Sequence, residues 1–204
     1  MTQSELYERS AIRNATRIAN PGCYATAIQL LTAPLLPYVK PGAWPTVFGV
    51  SGYSGAGTVL AQTPEGQPIS NPKVPPKSLG GAIRPYSLTD HVHEREAGWH
   101  LSRLLPGLNP GIESVQVAFV PVVAPWFSGI ICTLSMPLAS KAAAADIRAL
   151  YEEKYKDEPL VRVQAGIPSL SDISDKHGAV IGGVQVHSEG ERVVVVVSRS
   201  LGTH

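Results

Sequence analysis

The sequence predicts an α+β fold, in which a few helices pack in a layer against a sheet. Apolar runs rich in β-branched residues occupy 114–119 and 129–136 and are typical of core strands. Two further runs, 180–187 and 192–197, are joined by a short polar turn, as in an antiparallel hairpin. Because runs of strands alternate with only a few helices and the chain ends in this hairpin, an α+β arrangement is favoured.

The individual elements follow from apolar spacing and from turn residues. Pro34 should end or bend the second helix, since proline lacks an N–H and clashes with the preceding turn. Thr89 or Asp90 is expected to cap the third helix, and Ser140 the fourth. The long polar loop 62–85 should be functional or disordered. Helices are expected at 5–15, from 23 towards 34, at 91–104 and at 141–156, with strands at 17–20, 46–50, 114–119, 129–136, 160–163, 180–187 and 192–197.

Length and composition indicate one globular domain over residues 1–204. Apolar residues make up 44% and charged residues 16%, with a formal net charge of +1. Dispersed, balanced charges predict neither a nucleic-acid nor a membrane partner, and no apolar run approaches the roughly 20 residues of a membrane span. The first residues resemble neither a secretory signal nor a transit peptide. Two cysteines do not make a disulfide framework, so a reducing compartment is expected.

Cys23 follows a Pro-Gly turn and opens a predicted helix. Free backbone N–H groups and the helix dipole at that end favour a thiolate and can stabilise an oxyanion. Asn20, just before the turn, could add an amide donor. The alternative is a small buried hydrophobic residue, which is the interpretation favoured for Cys132 inside an apolar strand.

A thiol nucleophile usually needs a base, and His91 and His93 lie where a helix begins. An imidazole near a helix N-terminus should be held neutral, as a general base requires. A metal site using these two residues and His100 is the alternative, but residues two apart do not share a helix face. No Cys-x-x-Cys or His-x-x-x-His pattern accompanies them, so no metal is expected.

Two further segments could bind an anionic ligand. The glycines and hydroxyls of 51–57 let backbone N–H groups approach an oxyanion or phosphate, unless the segment is a simple connector. Lys73, Lys77 and Arg84 in the following loop could clamp an anionic substrate or merely be solvated. A G-x-G-x-x-G motif in a βαβ frame is missing, so this chain alone should not bind a dinucleotide firmly.

Three blocks together resemble the C-terminal domain of N-acetyl-gamma-glutamyl-phosphate reductase, an enzyme of arginine biosynthesis. They are Asn20-Pro-Gly-Cys-Tyr-Ala-Thr26, Ser51-Gly-Tyr-Ser-Gly-Ala-Gly57 and the His-x-His block of 86–96. The resemblance covers residues 4–197 and implies that an N-terminal NADP-binding domain is missing from this chain. The 86–96 block is similar to the fungal form, a mitochondrial precursor joined to acetylglutamate kinase, which implies the mitochondrial matrix if the chain is fungal and the cytoplasm otherwise.

The resemblance implies a mixed, largely antiparallel sheet with helices on one face, as in the C-terminal domain of glyceraldehyde-3-phosphate dehydrogenase. The other face would serve assembly into a dimer or tetramer. Cys23 would form a thioester with the acyl group of N-acetyl-L-glutamyl 5-phosphate, NADP(H) held mainly by the missing domain would reduce it, and His93 would move the proton. The resemblance also implies that Ser54 and Gly55 face both the substrate and the cofactor. Substrate-binding roles are expected for Asn20, Ser51, Ser54, Gly55, Arg84, His91 and Glu96.

Two other functions fit the same residues. A Cys-His hydrolase would need no nicotinamide and could act alone. A non-catalytic oligomerisation domain would fit the missing cofactor half and the apolar sheet. The isolated chain is expected to be inactive as a reductase in each case.

Overall fold

The computed structural model describes residues 9–18, 20–56 and 81–201 of the protein, and these residues contain a single sheet. Within these ranges seven strands follow the order β2-β3-β1-β4-β7-β6-β5. The β1–β3 and β5–β6 pairs are parallel and the other four pairs are antiparallel, which confirms a mixed, largely antiparallel sheet. The strands are β1 (Thr46–Ser51), β2 (Arg84–Pro85), β3 (Ala118–Val123), β4 (Ile130–Pro137), β5 (Val161–Val163), β6 (Ala179–Val186) and β7 (Arg192–Arg199).

Three of the four α-helices described below, α2, α3 and α4, share one hydrophobic core with one face of the sheet. Along β4, Cys132 and Leu134 are buried in this core, whereas the intervening Ile131 and Thr133 are only half-buried on the opposite face. None of the helices in the described ranges has the length and hydrophobicity to cross a bilayer. The α-helices are α1 (Arg9–Arg13), α2 (Cys23–Thr32), α3 (Val92–Leu104) and α4 (Ala144–Tyr155), and short 3-10 helices span Ala33–Tyr38, Tyr53–Ala56 and Leu170–Asp172.

Pro34 ends α2 as predicted, and the chain continues as a 3-10 helix. In a longer α-helix the carbonyl of Leu30 would accept a hydrogen bond from residue 34, but proline has no N–H to donate. The hydroxyl of Tyr155 on α4 donates to this buried carbonyl instead, at 2.8 Å. The neighbouring Tyr151 hydroxyl donates a hydrogen bond to the carbonyl of Leu31 in the same way. Two tyrosines of α4 thus complete the end of α2.

Several predicted boundaries are wrong, each for a tertiary reason. The segment 17–20 is not a strand at its described residues, and no described strand pairs with it. The first core strand begins at Ala118 rather than at 114, because the N–H of Val115 is bonded to the Ser102 hydroxyl of α3. Ser140 does not cap α4, because the N–H of Ala142 donates to Gly190 and holds the preceding residues outside the helix. Residues 5–8 of the first predicted helix lie outside the described ranges.

Candidate active site

The segment before α2 delivers Cys23 to the start of that helix, as predicted, but Gly22 is extended and the predicted Pro-Gly turn does not form. Gly22 is the N-cap residue with φ −61 and ψ 164, and Cys23 is the first helical residue and is half-buried. The N–H and hydroxyl of Thr26 both donate to the carbonyl of Gly22, at 2.9 and 3.1 Å, which closes the first turn. Because Gly22 has no side chain, it offers no capping oxygen to the first N–H groups of α2. The sulfur therefore lies at the positive end of the helix dipole.

His93 from α3 meets Cys23, which confirms the predicted contact between these distant residues. Nδ1 of His93 lies 2.8 Å from Oε2 of Glu96, and a carboxylate only accepts hydrogen bonds, so Nδ1 carries the proton. The remaining ring nitrogen, Nε2, is then the one that forms the hydrogen bond between His93 and the Cys23 side chain. The other oxygen of Glu96 accepts the N–H of Gly22, at 3.1 Å. One carboxylate thus orients both the imidazole of His93 and the backbone just before Cys23.

The imidazole of His93 differs from the neutral base that the sequence predicted. Burial lowers the pKa of His93, but the hydrogen bonds and charges of Cys23 and Glu96 outweigh it, so the pKa is raised above its ordinary value. The helix dipole alone suggested the opposite direction. The Cys23 side chain and the Glu96 carboxylate hold the ring, and this arrangement favours the imidazolium of His93.

His91 caps α3, a position that the sequence assigned to Thr89 or Asp90. Nδ1 of His91 accepts the N–H of His93, at 3.2 Å, as the oxygen of an Asn or Asp side chain commonly does. Because that nitrogen is an acceptor, a neutral His91 carries its proton on Nε2. The two imidazoles lie 4.9 Å apart, centroid to centroid. His91 is therefore a hydrogen-bond donor through Nε2, next to the imidazole that is hydrogen-bonded to the Cys23 side chain.

The imidazole of His93 packs directly on the backbone of Gly22. A Cβ atom at Gly22 would lie 2.2 Å from Cε1 of His93, well inside any ordinary contact. The φ angle of Gly22 suits any L-residue, so the requirement for glycine is steric rather than conformational.

Tyr24 fixes the start of α2 against the ends of two parallel strands. Its buried hydroxyl lies 3.2 Å from the carbonyl of Gly49 in β1 and 3.1 Å from that of Val122 in β3. Ser51, at the end of β1, is buried beside the same hydroxyl. Tyr86 also lies nearby, and burial, together with the charge of Cys23, raises the pKa of Tyr86 to about 12.

The remaining predicted residues lie in the 3-10 helix after β1, in the segment before α2, in β2 or outside the described ranges. Ser54 and Gly55 lie in the 3-10 helix after β1, and the buried hydroxyl of Ser54 has no hydrogen-bond partner among the described residues. Asn20 is exposed, as is Arg84 in the edge strand β2. Gly57, Lys73 and Lys77 lie outside the described ranges.

The alternative metal site does not form among the described residues. No three His, Cys, Asp or Glu side chains in those ranges are grouped so that they could hold a metal ion. His100 is buried on α3 against Trp99, with 4.7 Å between the ring centroids. Cys132 is fully buried in the core, as its sequence context predicted, and burial raises the pKa of its thiol.

Arg199 reaches the nucleophile helix, although the sequence gave no reason to single it out. Its Nη1 donates to the carbonyl of Cys23, at 2.8 Å. Alternation along β7 could have indicated this direction, since Val193, Val195 and Val197 are buried on the helix-covered face and Arg199 continues that series.

The fold and this site define an α+β domain in which a cysteine at a helix N-terminus is paired with a carboxylate-bound histidine, a pairing typical of thiol enzymes. Residues 23–199 match the family described as semialdehyde dehydrogenase, dimerisation domain. The chain belongs to this family. The match covers β1 to β7 and begins at Cys23.

Curated relatives are similar over almost the whole chain. Protein arg-6, mitochondrial, of Neurospora crassa is 47% identical over 94% of this chain and 19% of its own length. Protein arg11, mitochondrial, of Schizosaccharomyces pombe is 42% identical over 95% of this chain and 19% of its own. N-acetyl-gamma-glutamyl-phosphate reductase of Xanthomonas axonopodis pv. citri is 42% identical over 93% of this chain and 52% of its own. The chain therefore spans about a fifth of these fungal relatives and about half of the bacterial one.

Solved structures with a similar fold are aspartate semialdehyde dehydrogenases. That of Vibrio cholerae, form II, has a TM-score of 0.63 and 17% identity, covering 94% of this chain and 59% of its own. A probable aspartate-semialdehyde dehydrogenase of Pseudomonas aeruginosa has a TM-score of 0.59 and 16% identity, covering 94% of this chain and 61% of its own. At this identity the likeness establishes the fold alone.

Proposed function

We propose that this chain is the catalytic, substrate-binding domain of an N-acetyl-gamma-glutamyl-phosphate reductase. The observation that carries the proposal is the arrangement of Cys23, His93 and Glu96 at the start of α2. The name of the bacterial relative supports the choice of reaction. The substrate would be the acyl phosphate N-acetyl-L-glutamyl 5-phosphate, and the product N-acetyl-L-glutamate 5-semialdehyde.

The first half of the reaction uses residues of this chain only. The Cys23 thiolate attacks the acyl carbon, a carbon–sulfur bond forms, and the bond from that carbon to the phosphate oxygen breaks, which leaves a thioester and releases phosphate. The backbone N–H groups at the start of α2 are placed to stabilise the oxyanion of this step, which is worth about 3–4 kcal/mol per donor in comparable sites. His91, which carries its proton on Nε2 when neutral, would donate a hydrogen bond to the substrate.

The second half needs a reduced nicotinamide, NADP(H), which supplies a hydride to the thioester carbon when bound. The oxygen of the thioester, which becomes an alkoxide as the hydride adds, would take a proton from the His93 imidazolium, and His93 would take this proton back as the carbon–sulfur bond breaks, the Cys23 thiolate is released and the aldehyde leaves. The unpartnered buried hydroxyl of Ser54 and the adjacent Gly55 would face the ligands from the end of β1. Most of the nucleotide would be held by an N-terminal domain that the bacterial relative is long enough to contain.

The decisive experiment separates the first half from full turnover. The chain is mixed with the acyl phosphate without nucleotide, phosphate release is followed, and the intact protein is weighed by mass spectrometry. We expect about one phosphate per chain and an acyl adduct on Cys23, with none in Cys23→Ser and an unchanged yield in Cys132→Ala. Continuous phosphate release by the wild type would indicate the Cys-His hydrolase, and no release would indicate a non-catalytic domain.

We also infer assembly into a homo-oligomer through the sheet face that the helices leave uncovered. The family description names a dimerisation domain, which supports this partner. Phe48 is 53% exposed at the middle of that face, between half-buried neighbours on β3 and β4. Phe48→Glu should therefore lower the mass measured by sedimentation equilibrium to that of a monomer. Leu160→Glu, at a site equally exposed, serves as the control, and an unchanged mass for Phe48→Glu would refute this interface.

The location of the protein is inferred from relatives alone. Both fungal relatives carry the word mitochondrial in their names. A fungal source would therefore place this chain in the mitochondrial matrix, and a bacterial one in the cytoplasm. Fluorescent tagging of the full-length protein in its source organism tests this, and a cytosolic signal in a fungus would contradict it.

A further inference from the structure

Arg199 brings a permanent positive charge to the first turn of the nucleophile helix. Its side chain extends from the end of β7, on the face where the preceding alternate residues are fully buried in the core. The guanidinium group donates from Nη1 to the carbonyl oxygen of Cys23, at 2.8 Å. The carbonyl oxygen and the sulfur of one cysteine are four bonds apart. The guanidinium nitrogen therefore lies within about 8 Å of the sulfur, whatever the rotamer of Cys23.

This location is unfavourable for a cation unless an anion is close by. The N-terminal end of a helix carries a partial positive charge, so an arginine there is repelled by the dipole rather than stabilised by it. Arg199 is also only partly exposed, which reduces screening by solvent. An anionic sulfur on Cys23 reverses this balance, because it is attracted by the helix end and by the guanidinium together.

We propose that Arg199 is a positioning residue that anchors the first turn of α2 and favours the thiolate of Cys23. The proposal rests on the proposed role of Cys23 as the nucleophile and adds a second source of positive charge to that of His93. It explains why a cation occupies an inward-facing position that otherwise continues a row of valines.

The effect of the Arg199 charge on Cys23 can be measured separately from the effects of the neighbouring groups. Besides Arg199 on β7, they are His93 on α3, Tyr86 near β2, Cys132 on β4 and, on α2 itself, Tyr24, with Glu96 acting through His93. Tyr24, Tyr86 and Cys132 all have raised pKa values, for which burial is the largest cause, so they remain neutral at ordinary pH. Of these groups, His93 has a pKa raised by its contacts with Cys23 and Glu96, whereas an arginine stays charged throughout.

The test is the pH dependence of Cys23 alkylation by iodoacetamide between pH 5 and 10, followed by peptide mass spectrometry. Arg199→Gln keeps an amide donor for the Cys23 carbonyl but removes the charge. Arg199→Lys keeps the charge but loses the planar guanidinium. Arg192→Met removes a charge from the other end of the same strand, seven residues away and about 23 Å from Arg199. That distance is well beyond the Debye length of about 10 Å at 0.1 M salt.

We expect the midpoint of alkylation to rise by about 0.5–1 pH unit in Arg199→Gln, as expected for one charge at this distance in a partly exposed site. Arg199→Lys and Arg192→Met should stay close to the wild type. A wild-type midpoint for Arg199→Gln would overturn the proposal, even with a lowered melting temperature, because that is the result of a purely structural arginine. A wild-type Cys23 that reacts like an ordinary thiol would instead refute the proposed function itself.

Discussion

Substituting Gly22 by alanine tests whether the contact between the segment before α2 and the base determines the reactivity of Cys23. A Cβ atom at Gly22 would lie 2.2 Å from Cε1 of His93, so the ring must move by more than about 1 Å to regain ordinary contact. The ring cannot move that far and keep both its 2.8 Å bond to Glu96 and its bond to Cys23. We expect overpacking to destabilise the fold by about 1–3 kcal/mol.

The effect on chemistry should be larger than the effect on stability. Without its partner imidazole, Cys23 should be as reactive as an ordinary thiol, of which only about 3% is ionised at pH 7. The rate of alkylation by iodoacetamide at pH 7 should therefore fall at least about tenfold in Gly22→Ala. Gly166→Ala is the matched control, because a Cβ there meets nothing within 4 Å. A Gly22→Ala protein that alkylates at the wild-type rate would refute the coupling of this segment to His93.

Two further substitutions test hydrogen bonds on either side of the core. Glu96→Gln removes the charge that helps to raise the pKa of His93, so an NMR titration of the ring should show a lower value. A His93 pKa that is raised in the folded state stabilises the fold fully below about pH 6.5, and this stability is lost as the pH rises through the pKa of the folded protein. Between pH 6 and 9 the melting temperature should therefore fall less in Glu96→Gln than in the wild type. Tyr155→Phe leaves the buried carbonyl of Leu30 unpaired and should lower the free energy of unfolding by about 1–3 kcal/mol in urea titrations, whereas Tyr38→Phe should change it little. Equal losses in the two tyrosine variants, or an unchanged His93 titration, would contradict these assignments.

The sequence predicted best what is decided locally. The helix that starts at Cys23 and its end before Pro34 depend on neighbours in the chain, and the structure has both. The hairpin of β6 and β7 was likewise visible as two apolar runs about a short turn. Composition and periodicity were enough for these elements because no distant partner changes them.

Features that depend on distant partners were missed or misplaced. The cap of α3 was assigned to Thr89 or Asp90, because an imidazole is an unusual capping group. The protonation of His93 was expected to follow the helix dipole, and only the structure shows the carboxylate and thiol that override it. Glu96 was expected to bind substrate, and nothing in its sequence context indicated that it would accept a hydrogen bond from the N–H of Gly22. The meeting of Cys23 and the His91–His93 segment was expected because a thiol nucleophile usually needs a base, and the resemblance to a known family singled out His93.

The two oxygens of Glu96 constrain how this site can evolve. One oxygen orients an imidazole and the other holds a peptide N–H from a segment far earlier in the chain. An aspartate is one methylene shorter and cannot be expected to span both partners, while a glutamine supplies only one acceptor oxygen. Neither neighbouring residue type preserves the pair of contacts, so no gradual route leads away from glutamate. Homologues that lack it would have to rebuild the segment before α2 and the base together.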